Sequence, residues 1–363
     1  MRATIHRFFI TDPADVSGLA EAISADVINP AEIVTIIGKT EGNGGVNDFT
    51  RLLAIMALSQ LLAGYLGCHP ETVEDRIVLS FSGGSEGVTA PHMLVFTVSG
   101  RAAEQALSVK RLAIAAGHTR PFHVQEVGRM AMVHETARVV TSLMQALQVE
   151  PDDVHLVQIK GAIPAVDGAG MEDAITEGLH CDMAWSRGAS ALGVALALGE
   201  VAESQLADAA INRDWSLYSS RASVSAKPLL QRSEVVLLAN SCWWEGDLMI
   251  AHGVMQDIID LPAIHGVLNH FGLQPVNGQL SPADTARILA VFAKSDAHSG
   301  GVIRNRRHTM RTDADISDMR YSRCVVSALL AAVTGETGVY VSTRAEHQGP
   351  QGGGPVAMIG YAP

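Results

Sequence analysis

Three stretches of the chain share one pattern: a run of β-branched and other apolar residues that closes on a lysine. They are IVTIIGK (33–39), VHLVQIK (154–160) and ILAVFAK (288–294). Their length and near-continuous hydrophobicity predict strands buried on both faces, as in an α/β layer. A lysine is an unusual residue to close such a strand. The chain has five lysines, Lys39, Lys110, Lys160, Lys227 and Lys294, and three of them take this position.

Each run is followed by an aromatic–Ser/Thr–Arg triplet leading into an apolar stretch of helical length. The stretches are FTRLLAIMALSQLLAGYL from Phe49, WSRGASALGVALALGEVA from Trp185 and YSRCVVSALLAAV from Tyr321. The hydroxyl residue stands where an N-cap is expected, which predicts Arg51, Arg187 and Arg323 in the first helical turns. A cation there opposes the helix dipole, so its reason must lie elsewhere. A further helix with a 3.6-residue apolar period is predicted over 126–149.

A second short strand then ends at a serine before small or turn residues: IVLSFSGGSEG (Ser82), ASVSAK (Ser225) and GVYVSTRAEHQGPQGGGP (Ser342). In the middle copy Ser219, Ser220, Ser223 and Ser241 compete with Ser225. The order Lys, Arg, Ser thus occurs three times, predicting an internal three-fold repeat. The unit boundaries fall near 98–111 and 250–262, giving units 1–103, 112–248 and 253–363.

Composition narrows the reading. Of the 363 residues 47% are hydrophobic but only 5% aromatic, which suits layered α/β packing with close backbone approach. The net charge of −12 argues against nucleic acid or an anionic membrane as partner. Basic residues cluster at Arg304, Arg306, Arg307 and Arg311, where a solvated surface or subunit contact is the expectation. Cys68, Cys181, Cys242 and Cys324 lack metal or disulfide spacing, so reduced thiols and a soluble, cytoplasmic protein are expected. GKT at 38–40 resembles the end of a phosphate loop, but Ile33 stands where that loop needs its first glycine.

If the units pack about a pseudo-three-fold axis, three lysines, three arginines and three serines converge on one cavity. Burial and neighbouring cations then depress a lysine's pKa, and a neutral lysine activates serine as a nucleophile. Such a site suits a small flat ring with repeated carbonyls, and amide hydrolysis of a cyclic imide or ureide. His252 and His347 are weaker base candidates, and His92 and His118 read as ordinary loop or core histidines. Packing is the expectation for Trp243 and Trp244. Asp296, with the amide oxygen of Gln348 and main-chain carbonyls of 345–355, forms a candidate oxygen site for Mg²⁺ or Ca²⁺.

The segments GKTEGNGGVNDFTR (38–51), SGGSEGV (82–88), SRGASALG (186–193), IAHGVM (250–255) and AEHQGPQGGGP (345–355) carry a resemblance across nearly the whole chain. It is to the cyanuric acid hydrolase/barbiturase family of ring-opening amidohydrolases. The resemblance implies three similar repeats around a pseudo-three-fold axis, with a central β-barrel-like core and helices outside. It implies the pairs Lys39–Ser82, Lys160–Ser225 and Lys294–Ser342, with Ser225 the nucleophile and Lys160 its base. Arg51, Arg187, Arg323, the three serines, Gly83, Ala226 and Thr343 would bind the ring. A structural Mg²⁺ or Ca²⁺ would be held by Asp296, Ala345, Gln348, Gly349, Pro350 and Gly353, with no cofactor for the chemistry itself.

The implied activity is conversion of cyanuric acid to carboxybiuret and then biuret, by a homo-oligomer, often a tetramer. A barbiturase or a non-catalytic ring-binding protein are the alternatives. Three departures bear on ring preference and metal occupancy. GAIPAV follows Lys160 in place of something nearer Cys-Pro-Leu-Leu, Thr343-Arg344 replace the usual Gly-Gly, and Asp296 replaces a Glu.

Overall fold

The computed structural model describes residues 1–165 and 179–363, with the side chains of 179–182 outside the description. Cys181 and Val166, the end of GAIPAV, lie among the residues not described. Three units follow one order, strand–helix–strand–helix–strand–strand. The first contains β1 (Arg2–Phe9), α1 (Ser17–Ser24), β2 (Ile33–Thr40), α2 (Thr50–Leu66), β3 (Val78–Gly83) and β4 (His92–Ser99). The second contains β5 (Arg111–His118), α3 (Met130–Leu147), β6 (Val154–Ile163), α4 (Leu179–Ala197), β7 (Ala222–Pro228) and β8 (Glu234–Ser241). The third contains β9 (Leu248–Met255), α5 (Leu261–Asn269), a short α6 (Pro282–Thr285), β10 (Ile288–Ser295), a small β11–β12 hairpin (Val302–Ile303, Arg306–Arg307), α7 (Asp318–Thr334), β13 (Val339–Thr343) and β14 (Gly354–Tyr361).

The three main sheets are copies of one topology. Their orders are β1-β4-β2-β3, β5-β8-β6-β7 and β9-β14-β10-β13: first strand, last strand, lysine strand, serine strand. The lysine and serine strands run parallel, and a helix connects them because a parallel pair needs a long crossover. The lysine strands are apolar without alternation because each sheet is covered twice. The inner faces meet in a shared core that includes Ile37, Phe96, Leu112, Val157, Leu238, Ile250, Phe292 and Tyr340. The outer faces pack against each unit's own helices, as Ile36 and Leu79 do with Leu58 and Leu62.

The expected barrel-like core is not a closed barrel. No strand pairs from one main sheet to another among the described residues, and only the single bridges Arg2–Glu245 and Ser219–Gln348 cross between units. Two of the buried lysines occupy the seams instead. Lys39 Nζ donates to Val341 O at 2.9 Å on the serine strand of the third unit. Lys294 Nζ donates to Val224 O at 2.7 Å on the serine strand of the second. Ammonium groups thus satisfy edge carbonyls that barrel closure would give to strand N–H groups.

The capping expectation fails in all three helices. Helix α2 begins at Thr50, with Phe49 as the cap, so Arg51 does fall in the first turn. In α4 the Trp185-Ser186-Arg187 triplet lies well inside the helix, and α7 begins at Asp318 under a Ser317 cap that accepts from Arg320 N–H. The triplet serines bond elsewhere: Ser186 Oγ donates to Ala162 O at 2.8 Å, and Ser322 Oγ donates to Met319 O at 3.2 Å. Helix α3 starts at Met130 rather than 126, after Gly128 at φ +74°.

Candidate active site

The strand register places each lysine opposite its serine. Lys39 pairs with Ser82, Lys160 with Ser225 and Lys294 with Ser342 as Cα partners. On parallel neighbours such partners project side chains to the same face. Ser82, Ser225 and Ser342 line one cavity of about 390 Å³ together with Gly83, Ala226 and Thr343, the residues that follow them. Arg51, Arg187 and Arg323 line the same cavity, although their positions within the helices differ. The competing serines are elsewhere: Ser219 Oγ accepts from the Arg221 and Ala222 N–H groups, Ser220 Oγ donates to Glu200, and Ser241 Oγ donates to Leu147 O.

Each arginine has a carboxylate. Arg187 meets Glu346 through two bonds of 2.7 Å, Arg323 Nε lies 3.0 Å from Glu86, and Arg51 Nε lies 3.7 Å from Asp48. These acids were not singled out in the sequence, yet one sits in each glycine-rich motif: GKTEGNGGVND, SGGSEG and AEHQGP. Asp48 also accepts from the Gly44 and Thr50 N–H groups, which folds the 42–50 loop against the cavity. The cavity further takes in Gly44, Gly45, Met319 and Arg344. Arg344 holds φ +65° where glycine would be unstrained, with its guanidinium on Asp318 at 2.9 and 3.1 Å.

The three lysines are buried, with Lys160 2% exposed and the others 0%. Burial holds Lys39 and Lys160 well below the ordinary lysine range, with Arg323 adding to the effect at Lys39 and Arg51 at Lys160. Burial and Arg187 lower Lys294 to about 7. Their hydrogen bonds differ. Lys39 donates to Gly83 O (3.0 Å) and Val341 O, while Lys294 donates to Val224 O, Ser342 Oγ (3.2 Å) and Thr343 O (3.2 Å). By repeat, the matching acceptors for Lys160 are the carbonyls of Phe81 and Ala226. Among the described residues Lys160 Nζ bonds neither, and its one hydrogen bond runs to Ser225 Oγ at 2.6 Å. A lysine with depressed basicity on a serine hydroxyl is the arrangement that activates an alcohol nucleophile.

The histidines are structural. His347 Nδ1 donates to Leu217 O, and its Nε2 accepts from Asn212 N–H at 2.7 Å. His252 faces His155, Nδ1 to Nδ1, at 2.8 Å. Trp244 is core, and Trp243 packs partly buried against it. The candidate cation ligands besides Asp296 are all oxygens. Gln348 Oε1 accepts from Val224 N–H at 2.6 Å, and the Ala345 and Pro350 carbonyls each accept one main-chain N–H and keep a second lone pair. Burial and Glu346 push Asp296 up to about 7. Among the described residues no group of three or more His, Cys, Asp and Glu side chains is placed to hold a metal. The donor chemistry therefore fits only a hard cation bound largely by amide and main-chain oxygens.

A three-unit chain with a serine–lysine pair at each strand end, closing on one arginine-ringed cavity, defines a class of ring-binding α/β proteins built by repetition. The chain belongs to the amidohydrolase ring-opening protein family, whose model matches residues 4–361. It is 44% identical to a cyanuric acid amidohydrolase of Enterobacter cloacae, with 99% of each chain covered. It is 42% identical to a cyclic amide hydrolase of Azorhizobium caulinodans, again over 99% of each. A solved cyanuric acid hydrolase, described as structural concatenation, superposes with a TM-score of 0.91 at 40% identity, with 99% of both chains covered. The solved cyanuric acid hydrolase of A. caulinodans superposes with a TM-score of 0.87 at 43% identity, covering 100% of this chain and 99% of that one.

Proposed function

We propose that this protein is a cyanuric acid amidohydrolase that opens the ring through a Ser225–Lys160 dyad. The observation that carries the reading is the 2.6 Å bond from Lys160 Nζ to Ser225 Oγ at the wall of the arginine-ringed cavity. Neutral Lys160 takes the Ser225 proton as Oγ bonds to a ring carbonyl carbon. The resulting oxyanion is favoured by main-chain N–H groups beside the serines and by the guanidinium groups. The C–N bond then breaks, and the proton on Nζ passes to the departing ring nitrogen. Lys160 next takes a proton from water, which attacks the acyl-Ser225 ester and releases carboxybiuret; loss of CO₂ gives biuret. Arg51, Arg187 and Arg323, which line the cavity, receive the carbonyl oxygens of the ring.

A structural Mg²⁺ or Ca²⁺ held by Asp296, Gln348 and carbonyls of Ala345, Gly349, Pro350 and Gly353 would steady the loop carrying Glu346, the partner of Arg187. Assembly into a homo-oligomer, a tetramer in this reading, is supported by α2, whose Phe49 and Met56 are 73% and 60% exposed. A cytoplasmic setting is supported by Cys68, Cys242 and Cys324 being free. Among the described residues no helix is long and apolar enough to cross a membrane. The deciding experiment follows ultraviolet loss of cyanuric and barbituric acids. Turnover of cyanuric acid that disappears in Ser225→Ala is expected. Turnover of barbituric acid alone would move the assignment to a barbiturase, and turnover of neither ring would leave a binding protein.

A further inference from the structure

The three lysines differ in what supports a positive charge on them. Lys39 has two main-chain carbonyls, and Lys294 has two carbonyls and a hydroxyl. Lys160 has only the Ser225 hydroxyl, so an ammonium formed there in the proposed reaction needs its counter-charge from elsewhere. The residue facing each lysine on the antiparallel neighbour strand also differs. His92 faces Lys39, and its Nε2 has no partner, while Glu234 faces Lys160. In the third unit pairing on that side ends at Ala293 opposite Val356. Among the described residues only the second unit sets an acid on that neighbour strand, while Glu86 acts on Lys39 and Glu346 and Asp296 act on Lys294 from other elements.

Glu234 is 2% exposed, and its Oε2 lacks a hydrogen-bond partner. Lys227 Nζ lies 3.8 Å from Glu234 and 3.0 Å from Glu74 Oε1. Lys160, Lys227, Glu74, Arg51 and Asp48 line a second cavity of about 390 Å³ at the seam of the first and second units. That seam is the one no lysine–carbonyl bond closes. The charges facing Glu234 are Lys160 from β6, Lys227 from β7, Glu74 from the turn before β3, and His118 opposite it on β5, with Arg232 and Asp75 at the rim. Those facing Lys160 are Arg51 from α2, Lys294 from β10 and Lys227, all cations, with Glu234 the opposing anion.

We propose that Glu234 is a positioning residue for ring opening: held by Glu74 and Lys227 beside Lys160, it favours the ammonium that Lys160 becomes on taking the Ser225 proton, and so selects this serine–lysine pair over its two counterparts. The inference rests on the Ser225–Lys160 reading above. Its logic is that of the aspartate behind a catalytic histidine, which stabilises the cation formed without itself receiving the proton. Burial pushes Glu234 up to about 7, so its charge changes with small changes around it.

The test is the pH profile of cyanuric acid hydrolysis by the full-length protein and by Glu234→Gln, with thermal unfolding run in parallel. Loss of the negative charge lowers the pKa of Lys160, so more of it stays neutral in acid. The acid limb of kcat/KM should move to lower pH while kcat at the plateau falls about tenfold or more, the scale of one charge-assisted contact in a transition state. KM should change less than kcat. Glu74→Gln, at the half-exposed rim, removes the like charge that raises Glu234, so Glu234 stays anionic to lower pH and the limb should move the opposite way, to higher pH; it decides the matter if Glu234→Gln does not fold. Plateau rate and limb both unchanged would overturn the proposal, as would a fall in rate with an unmoved limb, since a purely structural loss leaves the base's titration in place. A wild-type protein inactive on cyanuric acid, or a fully active Ser225→Ala, would instead overturn the reading beneath it.

Discussion

The Lys160–Ser225 pair and the Lys39–Ser82 and Lys294–Ser342 pairs have the same strand register and opposite hydrogen-bonding roles. Lys39 and Lys294 each tie two strands together across a seam by donating to carbonyls. Lys160 leaves its seam unbridged and points its one bond at a hydroxyl. Repetition delivers three similar lysine–serine–arginine sets, and a local break in the repetition leaves one lysine without carbonyl partners; in the proposed mechanism that lysine is the base. A fully symmetric molecule would have three seams tied by three lysines, each engaged with carbonyls.

That comparison can be broken by swapping which pair is lost. Ser225→Ala should lower kcat by roughly three orders of magnitude or more, since a nucleophile and its base act as a unit. Ser82→Ala and Ser342→Ala should retain the acyl-enzyme step and act mainly through ring binding, read as a larger change in KM than in kcat. A loss in Ser82→Ala equal to that in Ser225→Ala would put the nucleophile in another unit.

Lysine substitutions sharpen it from the stability side. Lys39→Met strips a donor from buried Val341 O, at a cost of about 1–3 kcal/mol if that group is left unsatisfied, and one of two donors from Gly83 O, which also accepts from Arg323 at 2.9 Å. Lys160→Met removes one bond to a hydroxyl that rotates freely, so it should abolish turnover with the smaller loss of stability. Denaturant midpoints of the two variants give the ranking. The reverse order would mean that Lys160 carries a structural seam after all.

A smaller effect concerns pH. Lys294 titrates near 7 in the folded chain against 10.5 in the reference state. The unfolded chain therefore binds the extra proton between those values, and stability from this group rises with pH across about 7 to 10. Lys294→Met should flatten that rise in the unfolding temperature. An unchanged slope would show Lys294 to be fully charged in the fold.

The least effect is expected at the arginine counter-charges. Glu346→Gln should raise KM several-fold by loosening the two-bonded Arg187, with Glu86→Gln and Asp48→Asn acting alike on Arg323 and Arg51. Equal effects would mean that the ring reads all three arginines equally, whereas the geometry ranks Arg187 first.

The sequence by itself determined the repeat. Apolar runs ending in lysine at 39, 160 and 294, an arginine after each and a serine closing the next strand are one-dimensional signals, since strand burial and chain order are both written locally. Helix starts differ from the sequence expectation around Ser186 and Ser322 because a hydroxyl before an apolar stretch looks like a cap even where a strand carbonyl (Ala162) or a carbonyl of its own helix (Met319) claims it. The acids Asp48, Glu86 and Glu346 lay in the quoted motifs without a signal, since an ion pair joins residues from 3 (51 − 48) to 237 (323 − 86) positions apart in sequence. Arg187 with Glu346 spans 159 of them. Only the tertiary structure decided which lysine is free of carbonyls and which strand sets Glu234 beside it. Three near-identical local patterns share one pseudo-axis, and the difference between them arises only where their edges meet.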